Sequence, residues 1–161
     1  SSVYAIDLSK QTDIRMNVDK YAIVDQSKNN LDLNISVGDA LAGNIQEDNL
    51  NTEIFVNTDY DLILKIKEHE YDNDLLNQAI YYELEYKDPE GAEYEEQWTP
   101  FSSPPNNIEY NFESISSGIT ELSINAVFDP EAIDNFEEEW WQLSAEEEYN
   151  KVISLTISAS Q

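Results

Sequence analysis

The side chains that could perform acid–base catalysis are one histidine and an abundance of carboxylates. His69 is the only histidine of the chain and lies between Glu68 and Glu70. A serine hydrolase needs such a histidine as its base, but no Gly-x-Ser-x-Gly sequence accompanies this one. The 34 acidic residues could form the carboxylate pair of a glycosidase at many places, so they identify no particular site. We therefore expect a protein that is not an enzyme, with a carboxylate-dependent hydrolase as the third hypothesis.

Two groups of oxygen-bearing side chains have the composition of a calcium site. Asp59 and Asp61 share one predicted turn, and Asp72, Asn73 and Asp74 follow one another in a second. Calcium takes about six to eight oxygen ligands, which Asp and Asn often supply from one loop. Neither group matches an EF-hand loop, and Asp and Asn are also common in turns that bind no metal. Calcium is thus a candidate cofactor, with these five residues as candidate ligands.

The tryptophans are candidates for binding a sugar. Trp98 follows a run of acids, and Trp140 and Trp141 are adjacent in a second acidic stretch. Exposed rings beside carboxylates are typical of a carbohydrate cleft, whereas buried rings would serve the core or its rim. The second hypothesis is therefore a secreted carbohydrate-binding or adhesion module that uses these three rings for stacking.

The charge of the chain excludes several classes of partner. Asp and Glu total 34 against 8 Lys and Arg, which gives a formal charge of −26 at pH 7. This charge repels nucleic-acid phosphates and anionic membrane surfaces, so we expect neither as a partner. It attracts cations and basic surfaces, and it is also typical of proteins adapted to salty or alkaline surroundings.

The compartment is indicated by what the sequence lacks. No apolar run approaches the roughly 20 residues that span a bilayer, so we expect no membrane insertion. The absence of cysteine excludes thiolate metal sites and cysteine nucleophiles. The chain begins Ser1-Ser2-Val3 with no leader, as a mature secreted chain does, although an internal starting point would look the same. We expect an extracellular or cell-surface location.

Alternation of apolar and polar residues dominates the chain and is typical of antiparallel strands with one buried face. The turn sequence Asp88-Pro89-Glu90-Gly91 between two such segments predicts a β-hairpin. The acidic stretch 129–148 is helix-like, with Phe136 and Trp140 one turn apart. We expect an all-β chain, an antiparallel β-sandwich or jelly roll with a short acidic helical or loop insertion near 130–148. The alternating segments are 4–8, 14–18, 31–35, 62–67, 80–86, 119–128 and 151–159.

The amino end is predicted to be separate from the domain, with an extension at 1–12 and a single β-sandwich at 13–161. Tyr4, Ile6 and Leu8 share one face of a short strand, and a polar stretch follows at 9–12. Such a strand can complete its own sheet, or it can add to an exposed sheet edge of a neighbouring copy. Repeated head to tail, the second contact makes a filament. Asn34-Ile35-Ser36 also matches the glycosylation triplet, with Asn34 on the outward face.

The order of segments carries a family resemblance. Residues 55–62 form a strand–turn–strand unit, an aromatic section follows, and the chain ends on a strand at 155–159. With the alternating amino end, this order resembles small secreted β-sandwich subunits of prokaryotic surface filaments, of the camelysin-like biofilm-fibre and cannula type. The resemblance implies a homopolymer in which an N-terminal donor strand, here 1–10 with Tyr4, Ile6 and Leu8 buried, completes the next subunit, and in which calcium can participate. The first hypothesis is therefore a structural subunit of an extracellular filament.

Overall fold

Eight strands and three short helices form the part of the chain that the computed structural model describes, which is residues 10–28, 31–67, 73–98, 108–143 and 152–159. The strands are β1 (Ala22–Gln26), β2 (Gln46–Val56), β3 (Tyr60–Lys67), β4 (Ile80–Lys87), β5 (Glu93–Trp98), β6 (Ile108–Ile115), β7 (Gly118–Phe128) and β8 (Val152–Ala159). The helices are α1 (Val37–Leu41), α2 (Asp74–Ala79) and α3 (Phe136–Glu139), with 3₁₀ turns at Pro130–Ala132 and Trp140–Gln142.

The strands form two antiparallel sheets. The larger sheet has the order β1-β2-β7-β4-β5, and the smaller has the order β6-β3-β8. Every paired strand is antiparallel to its neighbour. The predicted all-β antiparallel sandwich is confirmed, as is the hairpin, in which β4 pairs with β5 across the turn at 88–92. No helix among the described residues is long and apolar enough to cross a membrane.

The core lies between the two sheets and is built from alternate residues of each. Ile54, Leu84 and Leu122 point inward from the larger sheet, and Leu62 and Leu64 point inward from the smaller one. Burial of each side chain of this size contributes about 1.5–3 kcal/mol, which makes this interface the main source of stability. The predicted inward faces of the segments at 80–86 and 119–128 are confirmed.

The amino-terminal part of the described chain differs from the prediction. The strand predicted at 14–18 is wrong, because residues 10–21 form no strand or helix. Ile14, Met16 and Val18 are 80, 86 and 84 % exposed. Alternation shows that a segment is able to pair, but a ladder also needs a partner strand, and none of the described strands lies beside this one.

The strand predicted at 31–35 is also wrong, although its alternation is meaningful. Leu31, Leu33 and Ile35 are half-buried against the core, yet the segment joins no sheet. Side chains of β2 take the place of a ladder: the carboxylate of Asp48 accepts from the amide of Asp32 at 2.7 Å. Gln46 Oε1 likewise accepts from the backbone amide of Ser36, the N-cap of α1, at 2.6 Å.

The acidic stretch after β7 contains the predicted insertion. Its described part consists of α3 between the two 3₁₀ turns, and residues 144–148 lie outside the described residues. Phe136 is buried and its ring meets Phe128 edge-on at 6.3 Å between centroids. Trp140 does not share that buried face, because α3 ends at Glu139 and the tryptophan is 42 % exposed. The insertion thus contributes Phe136 to the core and leaves Trp140 at the surface.

Candidate binding surfaces

The outer face of the larger sheet carries a polar surface across β2, β7, β4 and β5, beside an apolar row at Ile23 and Ile119. Because one set of alternate residues enters the core, the other set must face away from it. The register aligns Glu53 of β2 with Glu121 of β7, which is in turn aligned with Lys87 of β4 and, beyond it, Glu93 of β5. A second row, two residues further along each strand, contains Asn51, Ser123, Glu85 and Glu95. Two polar rows thus cross four strands.

These rows line a groove of about 470 Å³. This volume falls within the range of about 300–1,000 Å³ that is usual for small-molecule sites. Among the described side chains of the lining, those with hydrogen-bond donors and acceptors predominate. The lining residues are Asn51, Thr52, Glu53, Glu85, Tyr86, Lys87, Glu93, Tyr94, Glu95, Glu121, Leu122 and Ser123.

The electrostatics of the groove are dominated by carboxylates. Glu53 stands directly opposite Glu121, and Glu85 stands directly opposite Glu95. Like charges at directly opposed positions destabilise a sheet, so this face maintains an unfavourable arrangement. Lys87 is the single basic residue among the described residues of the lining. The groove therefore favours ligands that donate hydrogen bonds and repels anionic ones.

Hydrogen bonds outside the lining orient part of the groove floor. The side-chain Nδ2 of Asn49 donates to Ser123 Oγ at 2.8 Å. The hydroxyl proton of Ser123 can then be donated to a ligand. In the neighbouring position, Asn125 Nδ2 donates to Glu47 Oε2 at 3.1 Å. Asn125 Oδ1 is buried and has no hydrogen-bond partner. The polar surface thus extends along β2 and β7 beyond the groove.

The wall of the groove formed by β5 is supported from the core side. Tyr86 stacks on Phe112 of β6 with a centroid distance of 4.0 Å. Tyr94 of β5 meets the edge of the same ring at 5.6 Å and donates its hydroxyl to Glu96 at 2.7 Å. That hydrogen bond to Glu96 raises the pKa of Tyr94 above its usual range, with burial adding to the effect. The cluster ties an edge strand to the opposite sheet.

The turn before β5 fixes the register between β4 and β5 in this wall of the groove. Asp88 Oδ1 accepts from the amides of Glu90 and Ala92, both at 2.9 Å. Gly91 has φ = +88°, a left-handed conformation that favours glycine. This local network aligns β4 with β5 and so places Lys87 beside Glu93.

The backbones of the three predicted stacking residues lie toward one end of the sandwich, the end where β7 finishes. Trp98 ends β5, where the register pairs its backbone with Tyr82, and its side chain is outside the described set. Trp140 and Trp141 follow α3 and are 42 and 67 % exposed. Trp141 Nε1 donates to the carbonyl of Glu138 at 3.1 Å, which holds the exposed ring in place.

The predicted calcium ligands have structural partners. Asp59 accepts from the amide of Ser117 at 3.3 Å, and Asp61 accepts from the amide of Ser114 at 2.9 Å. Asp59 therefore holds the turn between β6 and β7, and Asp61 holds the end of β6, where Ser114 has φ = +54°. In the described ranges, no group of three His, Cys, Asp or Glu side chains is arranged to hold a metal ion.

The described residues of the second candidate calcium group, Asn73 and Asp74, lie at the start of a helix. Asn73 is the N-cap of α2, and its Oδ1 accepts from the amides of Leu75 and Leu76 at 3.0 and 3.1 Å. Its Nδ2 donates to the carbonyl of Gln142 at 2.8 Å, which ties α2 to the segment that carries the tryptophans. Asp74 lies in the first turn of α2, where its charge complements the helix dipole.

Several predicted residues fall outside the described ranges. They are Tyr4, Ile6 and Leu8 of the donor segment, Asp72 of the second calcium group and His69. Asn34 is described and exposed, in the irregular segment before α1. Sequence reasoning did not identify the groove, because its residues come from four strands that are far apart along the chain.

The edge of the smaller sheet is uncharged, and the edge of the larger sheet beside it is partly uncovered. β8 is the edge of the smaller sheet, and its eight residues include no charged side chain. Among the described strands only β3 pairs with it. At the corresponding side of the larger sheet, Val24 of β1 pairs in register with the buried Ile54 yet is 43 % exposed. The inner face of the larger sheet is thus incompletely covered beside β8.

No family model and no curated protein matches the chain. Among solved structures, TmCBM61 in complex with β-1,4-galactotriose is similar over 68 % of this chain and 79 % of that chain, at 10 % identity and a TM-score of 0.38. A mutant of the lectin binding domain of Lectinolysin complexed with Lewis b is similar over 66 % of this chain and 90 % of that chain, at 11 % identity and a TM-score of 0.30. At these TM-scores the strand arrangements differ too much for binding residues to be transferred from either protein.

Proposed function

We propose that the chain is an extracellular carbohydrate-binding module whose binding site is the groove on the outer face of the larger sheet. The observation that supports this proposal is the set of polar side chains brought together there: five glutamates as acceptors, with Lys87, Asn51 and Ser123 as donors. A sugar ring presents several hydroxyl groups, each of which donates one hydrogen bond and accepts others. Hydrogen bonds to charged groups are stronger than neutral ones, which favours a hydroxyl-rich ligand at this surface.

The charge of the groove selects the class of sugar. Carboxylates accept from the hydroxyls of a neutral glycan and from the ammonium of an amino sugar. Uronic acids, sialic acids and sulfated sugars would place a negative charge among the five glutamates. Lys87 offsets the charge of only one glutamate, so these acidic sugars are repelled. The expected ligands are therefore neutral or amino-bearing oligosaccharides.

Calorimetric titration with matched neutral, amino and acidic oligosaccharides tests this proposal. Glu121→Gln keeps the shape of the floor but removes a charged acceptor, and we expect affinity to fall about tenfold. Glu137→Gln is the matched control, because it removes the same charge from an exposed residue of α3. Preference for acidic sugars, or an equal loss in both variants, would refute the groove as the site. If Trp141→Ala alone abolishes binding, the site is at the tryptophans instead.

Assembly by strand addition is the second candidate function, and the uncharged edge of β8 favours it. Long, uncharged edge strands pair readily with another strand, and proteins usually block them with charges. A strand added beside β8 would lie opposite the uncovered position of Val24. The proposed donor is residues 1–10 of a second copy, with Tyr4, Ile6 and Leu8 as its apolar face.

Two variants test strand addition by electron microscopy and light scattering. Deletion of residues 1–10 should leave a folded monomer that does not polymerise. Thr156→Lys places a charge on β8 and should have the same effect, whereas Gln97→Lys adds the same charge to the other sheet's edge and should not. Filaments of normal length from the deletion variant would exclude the proposed donor.

A further inference from the structure

Residues 10–18, called here the arm, carry exposed apolar side chains and basic residues. Ile14, Met16 and Val18 alternate with polar residues and are each at least 80 % exposed. Lys10 and Arg15 lie in the arm with a single acid, Asp13, in a chain of net charge −26. Three large apolar side chains this exposed, within five residues of each other, favour contact with a partner.

The arm leaves the sandwich at a defined point. Asn57, just after β2, accepts from the amide of Tyr21 at 2.7 Å through its side chain. Its Nδ2 donates to the carbonyl of Asp19 at 2.8 Å, and its own amide donates to the carbonyl of Tyr21 at 3.2 Å. These three bonds hold the root of the arm at the end of the larger sheet where β2 ends and β7 begins.

The opposite end of the same sheet presents residues 137–142, called here the tryptophan segment. Trp140 and Trp141 are exposed, and the bond from Trp141 to the carbonyl of Glu138 fixes the second ring. The segment is anchored on one side by the buried Phe136 and on the other by the bond from Asn73 to Gln142. Six acidic residues and no basic residue occupy positions 129–143. The surface is therefore rigid, aromatic and negatively charged.

The arm and the tryptophan segment are complementary. Arg15 can lie over an indole ring while its charge is near glutamates, an arrangement that combines cation–π and ionic attraction. Met16 offers a sulfur atom of the kind that contacts aromatic rings favourably. The arm is a net-positive stretch in a strongly acidic chain, and the tryptophan segment is an exposed aromatic surface within an acidic one.

We propose that the arm of one copy docks on the tryptophan segment of a second copy. The two surfaces lie at opposite ends of β7, whose eleven residues span about 35 Å. A contact between two different surfaces at opposite ends is head-to-tail, so it repeats from copy to copy without closing unless the rotation forms a ring. This contact is made by side chains and requires neither the groove nor the edge of β8.

Sedimentation velocity of the full chain over a range of concentrations, at low and high salt, tests the docking. We expect concentration-dependent association that weakens with salt, accompanied by a blue shift of tryptophan emission. Arg15→Glu should weaken association about tenfold or more, and a second change, Glu138→Lys, should restore it. Lys87→Glu is the matched control, because it makes the same change in charge in the middle of the sheet.

Three results would overturn the proposal. They are a wild-type chain that stays monomeric at low salt, an equal effect of Arg15→Glu and Lys87→Glu, and normal association of both Met16→Asp and Trp141→Ala. The midpoint of thermal unfolding gives an independent check, because Met16→Asp alters an exposed residue and should leave the monomer as stable as before. A clear loss of stability would mean that the arm packs on its own copy. Glu121→Gln should keep association intact, so failure of the carbohydrate proposal would be seen separately.

Discussion

Removing the hydroxyl of Tyr60 is expected to expose the cost of a hydrogen bond that joins the two sheets. Tyr60 of β3 and Thr120 of β7 are both fully buried, and their hydroxyl groups are hydrogen-bonded to each other. Tyr60→Phe leaves the Thr120 oxygen buried without that partner, which costs about 1–3 kcal/mol. For a chain of 161 residues, each kcal/mol lowers the unfolding midpoint by about 2–4 °C.

The reciprocal change completes a double-mutant cycle. Thr120→Val leaves the Tyr60 hydroxyl unpaired and should cost a similar free energy. The double variant removes both polar atoms and should be less destabilised than the sum of the single variants, by about 1–2 kcal/mol. Urea unfolding measures all four free energies, and Tyr94→Phe serves as a control that removes an exposed hydroxyl. Additive costs would refute the reasoning, because they would show that the two hydroxyls do not depend on each other.

Three further predictions concern the strands that form the groove. Burial raises the pKa of Tyr86. The stability that its neutral form contributes is therefore complete below about pH 10 and is lost as pH rises through the raised folded-state value. Tyr86→Phe should flatten the alkaline limb of a stability–pH curve, and an unchanged limb would contradict this effect of burial. Asp88→Ala removes two hydrogen bonds from the hairpin turn and should cost about 1–2 kcal/mol in urea unfolding, with no measurable loss contradicting the role of the turn. Gly118→Ala should cost about 1–3 kcal/mol, because φ is +134° and the new Cβ would lie 3.0 Å from Pro89; a neutral result would contradict the strain.

Local pattern predicted several elements because their partners are close or their chemistry is self-contained. The hairpin of β4 and β5 follows from one turn whose Asp and Gly satisfy the backbone locally. The alternation in β4 and β7 predicted which residues enter the core. The same alternation failed at 14–18 and at 31–35, since pairing depends on whether a second strand is available and not on the segment alone.

The residue types of a candidate site can serve the fold as well as a ligand. Asn73 has a residue type that suits both a calcium ligand and a helix N-cap, and only the chain that follows it, Leu75 and Leu76 included, decides between these roles. Asp59 and Asp61 bind backbone amides that are distant in sequence, in the turn after β6 and near the end of β6. No spacing rule could indicate those partners.

The amino-acid sequence by itself determined the class of fold and the sign of the surface. Period-two hydrophobicity requires sheets with one buried face, and 34 acids against 8 basic residues make any unburied face negative, whatever the topology. Only the tertiary structure decided which acids became neighbours, because Glu53, Glu121 and Glu93 meet through the pairing of strands that are not consecutive in the chain. It also placed the exposed arm and the exposed tryptophans at opposite ends of one sheet. Such placement follows from the packing of whole sheets, which no local stretch of residues specifies.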